Sequence, residues 1–345
     1  MIQALSATYI LPIRRTTAEG VGELTRYLEM IARACSVIVV DGSDERRFDE
    51  VHDDWSRIGL HVRPDPGMRG LNGKVRGVLT GVELATNERI VIADDDVRYD
   101  LRSLQRTVAA LDEADLVRPQ NFFHPAVWHA CWDTARTLLN RVGGGSDFPG
   151  TLAVRRSVLQ KTGGYCPDVL FENLELIRTV EAAGGAVVSP PDLYVARLPP
   201  STRQFWEQRH RQAYDEFARP TRLLVSLSIA PLAVWMCMRR HRRRKVVVGM
   251  GVAVALAECG RSRAGGRRVF PISASLFAPL WLLERSVFSW VALGSWVRGG
   301  CPYAGGRLRR AASSRRALNA RFSAPNSFTR RVIRAPRRAP RCHRR

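Results

Sequence analysis

Residues 1–220 predict an α/β fold with a mainly parallel sheet, and three observations carry that prediction. Short apolar runs recur, each stopped by a turn or an acidic cluster. Between them lie stretches with apolar residues at helical spacing, and strand–helix–strand order requires crossovers that leave the strands parallel. The charge is also that of an ordinary folded domain: 27 Lys and Arg against 30 Asp and Glu, a net of −3.

The elements follow in order. The run ATYILPI (7–13) reads as a buried strand. EGVGELTRYLEMIARA (19–34) places Leu24, Leu28 and Ile31 at helical spacing. SVIVVDGSD (36–44) is a second strand stopped by a turn, LNGKVRGVLTGVELA (71–85) a helix with a glycine-rich entry, and RIVIADDD (89–96) a third strand. Ligands of open α/β sheets bind beyond the carboxyl ends of the strands. DGSD and DDD both sit at such ends, so they are expected to face one crevice.

Residues 221–345 have a different texture. They carry 27 Lys and Arg but only two acids, Glu258 and Glu284, a net of +25. The boundaries expected are a domain over 1–220, membrane-associated helices over 221–300, and a basic, disordered tail over 301–345. A charge of that size points to nucleic acid or an anionic membrane surface. Apolar stretches favour the membrane: LLVSLSIAPLAVWMCM (223–238), VVVGMGVAVALA (246–257) and the Trp-rich 272–297, separated in part by RRHRRRK. Sixteen residues make a helix of about 24 Å, short of a hydrocarbon core of ~30 Å. The third stretch, with Glu284 and Arg285 mid-way and Trp281, Trp290 and Trp296 around them, suits an interfacial helix. Nucleic acid is not expected as a partner, since few aromatics interleave with the arginines after residue 304. Seven scattered cysteines with no CxxC spacing indicate neither a zinc site nor a disulfide framework. No secretory signal is visible at the start, so the first domain is expected on the cytoplasmic side of a cell membrane.

Asp94, Asp95 and Asp96 raise the question of chemistry. Three carboxylates at the end of a buried strand repel one another unless a cation offsets them. Mg²⁺ is usually held by one or two carboxylates together with substrate phosphates. The triplet therefore reads as a metal–diphosphate site, and Gly70, Gly73 and Lys74 supply a basic helix entry suited to phosphate. A solvated turn that caps the next helix is the plainer alternative. The seven histidines show no ligand spacing and read as surface or core residues.

The order LPI, VDGSD, NGK, DDD resembles the inverting glycosyltransferases of family two, with the GT-A fold and its DxD motif. FPGTLAVRRSVLQKTGGY (148–165) is similar to the acceptor-side segment of that family, FENLELIRTVEAAGG (171–185) falls where its ED motif lies, and QRHRQ (208–212) resembles QxxRW. The resemblance covers residues 7–220. It implies transfer of a sugar from a nucleotide-diphosphate sugar, UDP-linked, to a hydroxyl acceptor with inversion. By the same likeness, Pro12, Asp41, Lys74, Asp94, Asp95 and Gln208 bind the nucleotide sugar, Asp96 holds Mg²⁺ or Mn²⁺, and Arg211 steadies the leaving diphosphate. The sequence departs from the motifs at two places, Asn173 for Asp and Gln212 for Trp. Asn173 cannot accept a proton as a carboxylate does, which leaves Glu172 as the expected base and Glu175 as its competitor. Membrane attachment implies a lipid or lipid-linked acceptor, with ceramide-glucosylating enzymes the nearest kind. The alternatives are a non-catalytic nucleotide-sugar-binding membrane protein and a sugar-nucleotide pyrophosphorylase. The latter needs a glycine-rich basic loop after strand one, where this chain has PIRRTTAEG.

Overall fold

The structure is a computed structural model that describes residues 4–145, 150–303 and 306–323. Its elements run β1 (Ala7–Ile13), α1 (Val21–Ala32), β2 (Ser36–Asp41), α2 (Glu45–Ile58), β3 (Leu60–Val62), α3 (Gly73–Leu84), β4 (Arg89–Ala93), β5 (Val97–Arg98), α4 (Leu101–Ala109) and β6 (Leu116–Val117). There follow β7 (Gln120–Phe123), α5 (Trp128–Val142), β8 (Thr151–Arg155), α6 (Arg156–Thr162), α7 (Glu172–Ala182), β9 (Val187–Val188), β10 (Tyr194–Arg197) and α8 (Thr202–Ala213). Last come α9 (Pro220–Met238), α10 (Arg243–Ser262), α11 (Ile272–Leu276), α12 (Ala278–Val297), β11 (Cys301–Tyr303), β12 (Gly306–Leu308) and α13 (Arg315–Ser323). The described residues form two compact units, one of 4–119, 150–195 and 312–323, the other of 120–145, 196–303 and 306–311.

The first unit is α/β with a mostly parallel sheet. Among the described residues, its strands lie in the order β3-β2-β1-β4-β8-β6-β9. β2, β1 and β4 pair in parallel, and β8 runs antiparallel to β4 and β6. Strand side chains alternate between two faces, and both faces are covered. Tyr9, Leu11, Val37, Val39, Val91 and Ala93 join a core with Leu24, Leu28, Ile31 and Trp55. Ile10, Ile38, Val40, Ile90 and Ile92 join another with Val75, Val78, Leu79, Leu176 and Ile177. Burial on both sides is why these strands read as continuous apolar runs. α3 lies unusually close to β1: a Cβ on Gly81 would stand 2.6 Å from Ile10 Cγ2. Three of this unit's helices begin on side-chain caps, Asp44 for α2, Asn72 for α3 and Asp100 for α4, each contributing about 1 kcal/mol.

The structure departs from the sequence reading in places. The third strand ends at Ala93, and Asp94–Val97 is a turn closed by Val97 N–H on the Asp94 carbonyl (3.1 Å). α2 and β3 stand where no element was anticipated. Residues 301–323 were expected to be part of a disordered tail, yet they hold β11, β12 and α13. Leu308, Ala311 and Leu318 are buried, and burial of those apolar groups offsets the entropy of ordering. Residues 324–345, the rest of that expected tail, lie outside the described residues. Cys166 is disulfide-bonded, against the expectation from cysteine spacing.

The second unit is mainly helical. α9 starts three residues earlier than its apolar run, at Pro220, and is 19 residues long. Among the described residues it is the one helix long and apolar enough to cross a membrane by length and composition. Leu224, Val225 and Val234 on α9 and Val247, Val248 and Met250 on α10 are exposed. On α12, Glu284 and Arg285 are buried, so the polar centre of the third apolar stretch faces the interior of this unit.

Candidate active site

The carboxyl ends of β1, β2 and β4 lie side by side in the first unit, and of the expected site residues Asp94, Lys74 and Glu172 meet there. Asp94, half-buried at the end of β4, donates its N–H to the Gly150 carbonyl (2.8 Å). Its Oδ1 makes an ion pair with Lys74 Nζ. The same ammonium donates to Glu172 Oε1 at 2.7 Å. Burial works against charge on Lys74, but the Asp94 and Glu172 carboxylates outweigh it and hold the ammonium well above the ordinary lysine range. One cation thus joins carboxylates 78 positions apart in sequence.

Local structure explains the arrangement. Lys74 is the second residue of α3, and Asn72 caps that helix by accepting from Lys74 N–H (3.1 Å) and Val75 N–H (3.4 Å). Glu172 is the first residue of α7, where the positive end of the helix favours an ionised carboxylate. The loops before the two helices are tied together. Asn72 N–H donates to the Pro167 carbonyl (2.9 Å), and Leu71 N–H to Asp168 Oδ1 (3.0 Å). Gly70, at φ 131°, packs so tightly that a Cβ there would stand 2.4 Å from Pro167. Tyr165 is buried beside this cluster; burial, with Glu172 adding to it, pushes its phenol well above the ordinary range.

Glu175 has a different setting. It is fully buried, and its Oε2 accepts from Ser313 N–H at 2.6 Å. Burial raises its carboxyl above the ordinary range, against the opposing pull of the Ser313 hydrogen bonds and of Arg178. Its neighbour Arg178 donates to the Ser313 carbonyl (2.8 Å). Both contacts fasten the segment leading into α13 onto α7.

Asp41, at the end of β2, is fully buried. Ser43 N–H donates to its Oδ1 (2.8 Å), while His61 Nε2 and Arg15 Nη2 stand 3.5 and 3.6 Å from its Oδ2. Burial pushes this carboxyl up, but His61, Ser43 and Arg15 together outweigh it and leave it below the ordinary range. Pro12 is buried in β1 against α3, where a Cβ on Gly77 would stand 3.0 Å from its own. Asp95 is exposed and Asp96 half-buried in the turn after β4. Among the described residues no group of three or more His, Cys, Asp or Glu side chains could hold a metal ion. Hard carboxylate oxygens in an accessible turn nevertheless fit Mg²⁺ or Mn²⁺ shared with a diphosphate, which needs only one or two protein carboxylates.

Gln208 and Arg211 belong to the second unit, on α8. Gln208 is half-buried and Arg211 exposed. Arg209 between them is fully buried, paired with both Asp133 oxygens at 2.5 and 2.7 Å and lying 4.0 Å from the Phe205 ring centre. It is a structural anchor that the motif reading passed over. In the first unit, sequence reasoning missed Asn72, Tyr165, Arg15 and His61. Asn72 had a usable signal, an N-cap residue directly before a helical pattern.

Residues 22–163 match the family model of Glycosyl transferase family 2. That match supports a glycosyltransferase domain over those residues. A comparison with curated proteins finds no match. Among solved structures, the chain is similar to the mannosyltransferase PcManGT from Pyrobaculum calidifontis, in complex with GDP-Man and Mn²⁺. The identity is 18%, covering 83% of this chain and 87% of that one, with a TM-score of 0.47. Glucosyl-3-phosphoglycerate synthase from Mycobacterium tuberculosis, in complex with Mn²⁺, UDP and glucosyl-3-phosphoglycerate, is 15% identical over 60% of this chain and 77% of that one, with a TM-score of 0.38. TarS from S. aureus is 16% identical over 61% of this chain and 39% of that one, with a TM-score of 0.40. At these scores the likenesses carry no argument about what this chain acts on.

Proposed function

We propose that the chain is a membrane-attached inverting glycosyltransferase of the hexosyltransferase type. It moves a sugar from a nucleotide-diphosphate sugar, UDP-linked, to the hydroxyl of a lipid or lipid-linked acceptor. The single observation that carries the reading is the cluster Asp94–Lys74–Glu172, which joins the end of a sheet strand to a helix N-terminus beside an acidic turn. The match over residues 22–163 supports the sugar-transfer part of this reading.

In this mechanism Glu172 takes the proton from the acceptor hydroxyl as that oxygen attacks the anomeric carbon. The carbon–oxygen bond to the diphosphate breaks on the opposite face, which inverts the configuration. General-base assistance of this kind typically contributes ~10²–10⁴-fold. Lys74 offers positive charge to the leaving diphosphate, a role that the QxxRW likeness alone assigns to Arg211 as well. Asp96 would hold Mg²⁺ or Mn²⁺ with the diphosphate, and the ion would supply Lewis-acid neutralisation of that leaving group. Asp41, Asp94 and Asp95 belong to the donor site, Asp41 by ordering Ser43, Arg15 and His61 around it, and the motif likeness alone assigns Gln208 to donor binding. The exposed apolar faces of α9 and α10 and the basic run 239–245 support attachment to an anionic membrane with the first unit on the cytoplasmic side. A ceramide-glucosylating type of reaction has an acceptor of the required kind.

The test is release of nucleoside diphosphate by the detergent-extracted full-length chain. UDP-glucose, UDP-N-acetylglucosamine and GDP-mannose are each supplied with and without Mn²⁺. Turnover with at least one donor, lost in excess chelator and in Asp96→Asn, is expected. Undiminished turnover in chelator would overturn the metal's part. No turnover with any donor, with or without added lipid extract, would count against the reaction.

A further inference from the structure

We infer that Asn72 is a positioning residue for Glu172, an inference that rests on the reading of Glu172 as the base. Asn72 is fully buried, and every hydrogen-bonding group of its amide is placed. Its Oδ1 accepts from Lys74 N–H and Val75 N–H at the start of α3. Its Nδ2 donates to the Val169 carbonyl at 3.2 Å and to Glu172 Oε2 at 3.4 Å. The other Glu172 oxygen is held by Lys74 Nζ at 2.7 Å. A single side chain therefore fixes the backbone that presents Lys74 and touches the carboxylate that Lys74 pairs with. With one oxygen on Asn72 and one on Lys74, Glu172 has little freedom to rotate about its terminal torsion. Misplacement of a reacting group by about 1 Å costs on the order of 10²-fold in rate. Asn72 does not reach the reacting atoms itself; it acts by fixing the group that does.

A helix cap alone would account for the Oδ1 contacts but not for those of Nδ2, and the two roles separate by substitution. Ser and Asp cap helices about as well as Asn. Asn72→Ser keeps the cap and is too short for Glu172. Asn72→Asp keeps both the size and the cap and replaces the amide donor with an acceptor. The full-length chain is assayed by nucleoside diphosphate release from UDP-glucose, UDP-N-acetylglucosamine and GDP-mannose with Mn²⁺, and thermal melting is recorded for every variant. Asn72→Ser is expected to lower kcat ~10-fold with donor KM within about 2-fold of wild type. Asn72→Asp is expected to lower it further, and it takes over the test if the serine variant does not fold. Combined with Glu172→Gln, either variant is expected to add less than about 2-fold, because the group it positions is already gone. A full multiplicative loss in the Glu172→Gln background, or an unchanged kcat in well-folded Asn72→Ser and Asn72→Asp, overturns the inference while leaving Glu172 as base. A Glu172→Gln variant with near-normal turnover, or a wild-type chain that turns over none of the three donors, overturns both.

Discussion

At the scale of single residues, Glu172 and Glu175 are three positions apart yet occupy opposite environments. Glu172 shares Lys74 with Asp94 at the carboxyl ends of the strands, whereas Glu175 is sealed against Ser313. Glu172→Gln is accordingly expected to cut kcat by ~10²-fold or more, with donor binding by calorimetry little changed. Glu175→Gln keeps an acceptor for Ser313 N–H and removes a buried charge, so its turnover is expected to stay near wild type. Its effect lies in stability. Because burial raises the folded-state carboxyl of Glu175 above the unfolded value, the folded chain binds the extra proton between those two values. Wild-type stability should therefore fall as pH rises from the ordinary glutamate range through the raised folded value, then level off. Melting curves of Glu175→Gln across that range should lose this component. A glutamine variant as pH-dependent as wild type would show that the carboxyl does not titrate there.

At the scale of elements, the close seat of α3 on β1 fixes where Lys74 starts. Gly81→Val would drive a branched side chain into Ile10, and overpacking of this kind costs about 1–3 kcal/mol. Gly22→Ala on α1, whose Cβ would meet nothing nearer than Arg26 at 4.0 Å, should instead stabilise by about 0.5 kcal/mol. Chemical denaturation of the two variants separates close packing from helix propensity. The same packing decides what the sequence could reveal. β1, β2 and β4 are buried on both faces, so their apolar runs were plain. α2 carries Phe48, Val51, Trp55 and Ile58 at helical spacing behind the Asp44 cap, a signal that was present but passed over among many charged residues, whereas β3 is three residues long and shows no periodicity. The two-residue strands β6 and β9 carry no pattern at all. In the site, the acidic turn and the Gly–Lys helix entry were legible locally, whereas the meeting of Asp94 with Glu172 depends on tertiary topology. Only the resemblance linked them beforehand. Residues 301–323 were misjudged because arginines outnumber the few apolar groups, Leu308 and Leu318 among them, that hold this segment.

At the scale of the whole molecule, the charge difference between the two parts of the chain and the exposed apolar faces lead to one prediction about attachment. α9, with 19 residues, is about 28 Å long, close to a hydrocarbon core of ~30 Å. Leu224 and Val248 are each more than 60% exposed, which is costly in water and favourable in lipid. The run RRHRRRK between α9 and α10 adds attraction to anionic headgroups of about 1 kcal/mol per basic residue near the surface. That attraction is screened within a Debye length of about 10 Å at 0.1 M salt, whereas apolar burial is not. The two contributions therefore predict different responses. The full-length chain should pellet with anionic vesicles more completely than with zwitterionic ones, and high salt should remove that difference without releasing the protein. Detergent should release it. Complete release by high salt would leave only surface electrostatics, and failure to pellet at low salt would end the membrane reading altogether. Cutting the chain at Pro220 is not a neutral control, because it also removes Ser313, the partner of the buried Glu175. The better comparison replaces Leu224, Val225, Val247 and Val248 with serine in the intact chain. This should lower the high-salt-resistant fraction while the ion pair of Lys74 with Glu172, and hence donor turnover in detergent, stays intact.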